Sequence, residues 1–160
     1  MLKVHLIVVG KLKEKFFLDA SDEYIKRLGG YCNFTLTQIP EEKLPSHPSE
    51  REILAALHKE GGQILSKVPS DSALIPLCVE GKTLSSQALA TQVQSVANGP
   101  MRHLVFVIGG SYGLSDDVKS RATLKLSLSP MTFPHHLARV ILLEQIYRAF
   151  KIIEGSSYHK

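Results

Sequence analysis

The sequence predicts an α/β protein with a mainly parallel sheet and helices on both faces. Strand-like apolar segments alternate with amphipathic helical segments along the chain, an order typical of parallel strands joined by helices. Residues 104–108 are all apolar, as expected of a strand buried on both faces. With 160 residues and 44% hydrophobic content, the chain has room for one sizeable core, and we expect a single domain over residues 1–160.

The first part of the chain predicts a strand, a helix, a second strand and a loop. The strands are rich in β-branched residues, and the helix has apolar positions that fall on one face. The bounds are a strand over 2–9, a helix over 13–28, a strand over 32–39 and a loop over 40–48. The loop contains three prolines, and we expect it on the surface.

A second helix is predicted after Ser49, because Ser49 and Glu52 have the spacing of a capping box. Its apolar face continues to Val68. Gly61 and Gly62 lie inside it, each costing about 1 kcal/mol relative to alanine, and they are candidate positions for a break.

A third strand and a third helix follow. The strand is predicted over 73–79, and Pro76 within it indicates an edge position or a bulge. Ser85 is the predicted N-cap of the helix, and Asn98 with Gly99 is predicted to end it.

Two strand-loop-helix junctions follow each other in the last third of the chain. The strand at 104–108 leads to a glycine-rich loop and a short helix with Ser115 as N-cap. A strand near 124–128 leads to the loop 129–133 and to a long helix that Pro134 opens. Since parallel strands end at one edge of a sheet, the two loops are predicted to lie side by side, where open α/β sheets bind ligands.

Composition limits the possible partners and location. The net charge of +4 favours an anionic partner such as nucleic acid without requiring one. Cys32 and Cys78 have no metal-ligand spacing and are expected as buried, reduced thiols. No segment approaches the roughly 18 apolar residues of a membrane span, and the amino terminus does not resemble a signal peptide. We therefore expect a soluble, cytoplasmic protein that does not bind a membrane.

The long helix, predicted over 134–154, places a charge among its apolar residues. Steps of 100° per residue put Arg139 inside the apolar stripe. A buried guanidinium needs a partner or a function, so it forms either a core ion pair with an acidic side chain or part of a site. Apolar residues also cover more than half of the helix circumference, which predicts packing on the sheet and against a second copy.

Three features suggest chemistry when taken singly. Residues 109–113 match G-x-S-x-G, the turn that carries a hydrolase nucleophile, here Ser111, although few later residues remain to supply the acid and the histidine. His135 and His136 diverge by about 100° on a helix and have no further ligand at suitable spacing, so no metal is predicted. Tyr158 and His159 in the tail have the groups needed to stack on a base and move a proton.

Taken together, these segments closely resemble the RlmH family. That family comprises bacterial methyltransferases of large-subunit ribosomal RNA and is a minimal branch of the SPOUT class. The resemblance runs from residues 3–13 to the last residue, and its most specific parts are residues 107–114, 126–135, 139–150 and 158–159.

The resemblance implies a homodimer with a deep trefoil knot in its carboxyl-terminal third. It implies transfer of a methyl group from S-adenosyl-L-methionine to N3 of a pseudouridine in 23S ribosomal RNA, in the large subunit or the 70S ribosome. The donor-binding positions implied are Leu77, Gly109, Leu128, Ser129, Pro130, Met131, Thr132 and Phe133, with Pro130 a departure from the family pattern. Candidate catalytic residues are Arg139, His135, Tyr158 and His159, the tail being supplied by either subunit.

Two alternatives remain at this point. One is a serine hydrolase that uses Ser111, and the other is a non-catalytic ribosome-binding protein with the same fold. Methyl transfer to a ring nitrogen needs alignment and loss of a proton but no metal. RNA would then bind to basic surface, for which the candidates are Lys11, Lys13, Lys15, Lys26 and Arg27, each equally consistent with ordinary solvated surface.

Overall fold

A five-stranded sheet forms the centre of the molecule, and every strand pair in it is parallel. The structure is a computed structural model that describes residues 1–159. Its strands are β1 (Lys3–Val9), β2 (Asn33–Ile39), β3 (Ser72–Thr83), β4 (His103–Ile108) and β5 (Leu126–Ser127). They lie in the order β2-β1-β4-β3-β5. All strands therefore end at one edge of the sheet, which confirms the predicted class.

Helices cover both faces of this sheet. They are α1 (Lys15–Leu28), α2 (Glu50–Ser66), α3 (Ser86–Asn98), α4 (Asp116–Ser120) and α5 (His135–Ile153). One core joins the sheet to α1, α3 and α5, through residues such as Leu28, Val93 and Ile146. The opposite core joins it to α2 and α4, through Ile64 and Val118.

The three predicted serine caps are confirmed. Ser49 Oγ accepts a hydrogen bond from the backbone N–H of Glu52 at 3.1 Å, and the Glu52 carboxylate accepts from the N–H of Ser49 at 3.1 Å. Ser85 caps α3 and Ser115 caps α4 in the same way. Such bonds satisfy backbone donors that a helix leaves free at its first turn.

The break considered at Gly61 and Gly62 does not occur, because α2 runs without interruption from Glu50 to Ser66. Gly61 is buried against the cap of another helix, and a Cβ atom there would overlap the Oγ of Ser115. The missing side chain lets α2 and α4 approach each other closely. The packing of two helices thus offsets the intrinsic cost of glycine.

Strand β3 lies between β4 and β5, so Pro76 is not in an edge strand. Pairing of β3 with β4 ends at Pro76, opposite Val107. Pairing with β5 changes register between Leu77 and Lys82, which agrees with the alternative of a bulge. The strand extends to Thr83, beyond the predicted end at residue 79, whereas β5 is shorter than predicted.

Helix α5 begins one residue later than predicted, with Pro134 as its N-cap. Most of its predicted apolar stripe is buried: Leu142, Leu143, Ile146, Ala149 and Phe150, whereas Ile153 is 37% exposed. Helices α1 and α3 of the same chain pack against α5. They cover much of the apolar circumference from which packing against a second copy was predicted.

Cys32 and Cys78 are buried free thiols, as predicted. Burial raises the pKa of Cys32 to about 11, so this thiol stays protonated near neutrality. Within the described part of the chain, no helix is long and apolar enough to cross a membrane.

Candidate functional site

A cleft of about 170 Å³ opens at the carboxyl edge of the sheet. We call it the strand-end cleft. It brings together the ends of β3, β4 and β5, the loop 128–133 and the start of α5. Seven of the residues predicted to bind a donor line it: Leu77, Gly109, Leu128, Ser129, Met131, Thr132 and Phe133. Pro130 lies in the same loop but is not part of the cleft wall.

Glycines shape the wall that follows β4. A Cβ atom on Gly109 would overlap the backbone carbonyl of Gly113. Gly113 has a φ of +84°, a conformation that L side chains rarely adopt, and its N–H donates to the carbonyl of Gly110 at 3.1 Å. The chain thus turns back on itself directly after β4, and its backbone borders the cleft without side chains in between.

A second turn shapes the opposite wall. The hydroxyl of Ser127 donates to the carbonyl of Ser129 at 3.1 Å, and the hydroxyl of Ser129 accepts from the N–H of Met131 at 3.0 Å. Met131 is 74% exposed at the rim. The two walls therefore combine apolar side chains with backbone groups, a composition typical of small-molecule sites.

His135 enters the cleft from the start of α5. Burial and, secondarily, the neighbouring His136 lower the pKa of His135, so its imidazole is neutral at neutral pH. His136 points elsewhere, with its Nδ1 3.4 Å from a carboxylate oxygen of Glu14 and its side chain 20% exposed. Of the two adjacent histidines, His135 therefore faces the cleft, whereas His136 is partly buried against Glu14.

Arg139 is 2% exposed, and it does not line the strand-end cleft. Its guanidinium donates to the carbonyl of Gly10 at 3.2 Å and, with a longer contact of 3.5 Å, to the side-chain oxygen of Gln38. Burial lowers its pKa. Within residues 1–159 it has no acidic partner, so the core ion pair considered above is not formed, and its buried Nε atom has no hydrogen-bond partner. Arg139 thereby joins the start of α5 to the ends of β1 and β2.

The carboxyl-terminal tail folds back along α5. The hydroxyl of Tyr158 donates to Glu144 at 3.2 Å, and Arg148 donates to Nδ1 of His159 at 3.2 Å. Arg148 is thirteen residues beyond His135, a separation of roughly 20 Å along a helix. The structure therefore does not bring Tyr158 and His159 to the cleft of their own chain.

Ser111 lies outside the cleft, and its hydroxyl donates to Glu41 at 3.3 Å. No histidine within the described chain makes a hydrogen bond to Ser111, and Ser111 lacks the positive φ of a strained turn. A nucleophilic serine needs such a base and such a turn. The geometry does not support a serine hydrolase.

Sequence reasoning missed the loop 40–48 as part of this region. Glu41 accepts from the N–H of Ser111 at 3.3 Å, and Glu60 accepts from the N–H of Glu42 at 2.8 Å. The loop is thus fixed between α2 and the turn after β4. Its position directly after β2, at the edge where all strands end, was the signal that pointed to such a role.

Metal ligation has no candidate in the part of the chain that the structure describes, where no group of three or more His, Cys, Asp or Glu side chains is suitably placed. The cleft offers backbone, hydroxyl and imidazole groups next to apolar walls. The residues that line the cleft include no phosphate-binding loop.

The fold and the cleft define a class, the α/β proteins with a ligand-sized cleft at the carboxyl ends of parallel strands. A family model described as a predicted SPOUT methyltransferase matches residues 2–159. The chain belongs to this family, which confirms the predicted resemblance to the RlmH family. S-adenosyl-L-methionine is the methyl donor of SPOUT methyltransferases.

A solved structure shows the same fold. It is a probable methylase family protein from Haemophilus influenzae Rd KW20, with a TM-score of 0.52 and 14% sequence identity. The match covers 99% of this chain and 70% of that chain.

Proposed function

We propose that the protein methylates N3 of a pseudouridine in 23S ribosomal RNA of the large subunit, a cytoplasmic substrate, with S-adenosyl-L-methionine as donor. The observation that carries the proposal is the strand-end cleft. Three segments far apart in sequence, represented by Leu77, Gly109 and the loop 128–133, line one cleft. These are the segments to which the family resemblance assigns the donor.

The donor supplies a methyl group on a sulfonium, which is transferred when a ring nitrogen attacks in line. The protein must therefore hold two reactants in register and accept the proton of N3. Leu77 and Phe133 offer apolar contact for the adenine, and the backbone at Gly109 offers hydrogen-bonding groups. The cleft is smaller than the usual small-molecule site of about 300 Å³ or more, and the exposed Met131 at its rim would add to the contact with a bound donor.

His135 is the proton acceptor in this proposal, because its imidazole lines the cleft and is neutral. Arg139 is buried behind the cleft and acts as a positioning residue that fixes the start of α5 on Gly10. A direct role of Arg139 on the RNA would need its guanidinium to leave that position. The net charge of +4 supports an RNA substrate through attraction to phosphates.

We also propose a knotted homodimer. From β5, which lies at the edge of the sheet beside β3, the chain continues through the loop 128–133 into α5, which packs on the same face as α1 and α3. Leu137, Val140 and Ile141 remain partly exposed along α5 and offer a surface for a second copy. Because the tail lies away from its own cleft, Tyr158 and His159 take part in catalysis only if they reach the cleft of the partner subunit.

Transfer of a labelled methyl group to ribosomes that lack the modification tests the proposed function. Digestion of the RNA and mass spectrometry should then find N3-methylpseudouridine. The Ser111→Ala variant should retain most of this activity, since Ser111 is outside the cleft. If the folded protein binds ribosomes but does not methylate them, the result would contradict the proposed function and support a non-catalytic ribosome-binding protein.

A further inference from the structure

A second cavity adjoins the strand-end cleft on the other side of the turn after β4. It has a volume of about 280 Å³ and lies between the loop 40–48, α2 and residues Ser111 and Tyr112. We call it the Glu60 pocket. Ser111 directly follows Gly110, which lines the strand-end cleft, so the two cavities are separated by a single turn of the chain.

Glu60 is a buried carboxylate on the wall of this pocket. It is 5% exposed, and one of its oxygens accepts the N–H of Glu42 at 2.8 Å. Its other oxygen accepts no hydrogen bond from residues 1–159, and it is not among the buried unpaired polar atoms of these residues, so it is open to the pocket. Burial raises the pKa of Glu60; the hydrogen bond from the N–H of Glu42 opposes this rise, and the charges of Glu41 and Glu42 add to it. This open oxygen can therefore accept a hydrogen bond from a ligand in the pocket.

The other two carboxylates of the pocket are already engaged. Glu42 forms an ion pair with Lys59 at 3.5 Å. Glu41 accepts from both the N–H and the hydroxyl of Ser111, each at 3.3 Å. Glu60 is therefore the acceptor that the pocket offers to a ligand.

Two further side chains indicate the chemistry of that ligand. Tyr112 is half exposed on the pocket wall, and its ring stacks on no other aromatic ring of the described chain. Lys43 also lines the pocket and is exposed. An aromatic face, a cation and a buried acceptor match the base, the phosphate and an amino group of one nucleotide.

We propose that the Glu60 pocket binds a nucleobase with an exocyclic amino group, from a nucleotide of the RNA substrate other than the one that is methylated. This inference rests on the proposed RNA methyltransferase function. The base stacks on Tyr112 and donates from its amino group to Glu60. A uracil ring presents carbonyl oxygens at the corresponding edge and is disfavoured by a carboxylate.

Cytidine and uridine 5′-monophosphate are the matched probes, because they differ at the group that would face Glu60. Each is titrated by NMR at neutral pH into the full-length protein saturated with S-adenosyl-L-methionine. Cytidine monophosphate should bind about tenfold more tightly than uridine monophosphate, with shifts at Glu60 and Tyr112. Equal affinities, or shifts confined to the loop 128–133, would overturn the proposal.

Variants separate recognition from folding. Glu60→Gln keeps an acceptor for the N–H of Glu42 but adds a donor. The ratio of the affinities for cytidine and uridine monophosphate should therefore fall to about one. Glu50→Gln makes the same charge change on the same helix outside the pocket and should leave the preference unchanged. Tyr112→Ala should weaken both nucleotides, whereas Tyr112→Phe should not. A preference that survives in Glu60→Gln would refute the role of Glu60.

Methyl transfer to ribosomes by the same wild-type sample distinguishes the two proposals. Transfer by a protein that shows no nucleotide preference would refute only the Glu60 pocket. Absence of transfer to any ribosomal RNA would refute the proposed function itself.

Discussion

Glu60 is a carboxyl group that folding places in an unfavourable environment. Its pKa in the folded protein is raised above the ordinary value of 4.5, with burial as the largest cause. Between pH 4.5, the ordinary pKa that Glu60 has in the unfolded chain, and its higher pKa in the folded protein, the folded state binds more protons than the unfolded state. The contribution of Glu60 to the free energy of unfolding therefore falls as pH rises through that range.

This behaviour predicts how Glu60→Gln changes stability with pH. Below a pH of 4.5 both proteins carry a neutral group, and their melting temperatures should differ little. Towards neutral pH the wild type should lose stability relative to the variant. Thermal unfolding across this pH range measures the difference. Glu50→Gln, at an exposed position, should stay within about 0.5 kcal/mol of wild type throughout, and a similar pH trend in that control would contradict the assignment to Glu60.

His135 gives the proposed reaction a specific pH dependence. Only neutral imidazole accepts a proton, and the pKa of His135 is lowered from 6.5, mainly by burial. Under saturating donor and ribosomes, the rate should therefore fall on acidification only below pH 6.5. His135→Ala should lower the rate about 100-fold or more, and its remaining rate should no longer fall on acidification. If the rate of His135→Ala still fell in the same pH range, a group other than His135 would be responsible for the fall.

Arg139 shows what a sequence pattern reveals about one residue. Helical periodicity identified it as a buried cation, and burial is confirmed. Its partners, the carbonyl of Gly10 and the side chain of Gln38, are distant in sequence. Because helical periodicity describes only one helix, it could not identify partners supplied by neighbouring strands.

At the scale of elements, Gly61 and Gly62 differ despite being adjacent. A Cβ atom on Gly61 would overlap Ser115, whereas a Cβ atom on Gly62 has no atom within 4 Å. Gly62→Ala should stabilise the protein by up to about 1 kcal/mol through helix propensity. Gly61→Ala should destabilise it, by about 1 to 3 kcal/mol as is typical of overpacking. Urea unfolding of the two variants measures both effects, and equal stabilisation by both would contradict the close packing of α2 on α4.

Local signals predicted the helices better than the strands. The caps at Ser49, Ser85 and Ser115 depend on residues three positions apart, so the sequence contains the whole interaction. The extra length of β3 depends on its pairing with β5 through Lys82 and Thr83. No local pattern encodes that pairing, because the partner strands are some forty residues apart in sequence.

At the scale of the whole molecule, the parallel sheet explains why the loops meet. Parallel strands end at one edge, so Gly109 and the loop 128–133 could be placed together from the alternation of strands and helices alone. The same rule places the loop 40–48 at this edge, because it follows β2, but its contacts to Ser111 and α2 depend on side chains and could not be predicted from it. The position of the tail along α5 likewise depends on tertiary contacts of Tyr158 and His159.

The proposed dimer predicts that the two halves of a site come from different chains. His135→Ala and His159→Ala should each be inactive alone. When they are unfolded together and refolded, mixed dimers should contain one intact site, giving roughly a quarter of wild-type methyl transfer by random pairing. Failure of the mixture to recover activity, with mixed dimers shown by mass spectrometry, would rule out a tail acting on the partner subunit.

The central claim is that the strand-end cleft holds the methyl donor, and calorimetric titration with S-adenosyl-L-methionine tests it most directly. The wild type should bind one donor per chain. Ala138→Leu, which enlarges a side chain on the cleft wall, should weaken binding at least about tenfold, or 1.4 kcal/mol, while melting curves confirm that the variant is folded. A folded wild type that binds no donor, or equal affinity in the two proteins, would contradict the account.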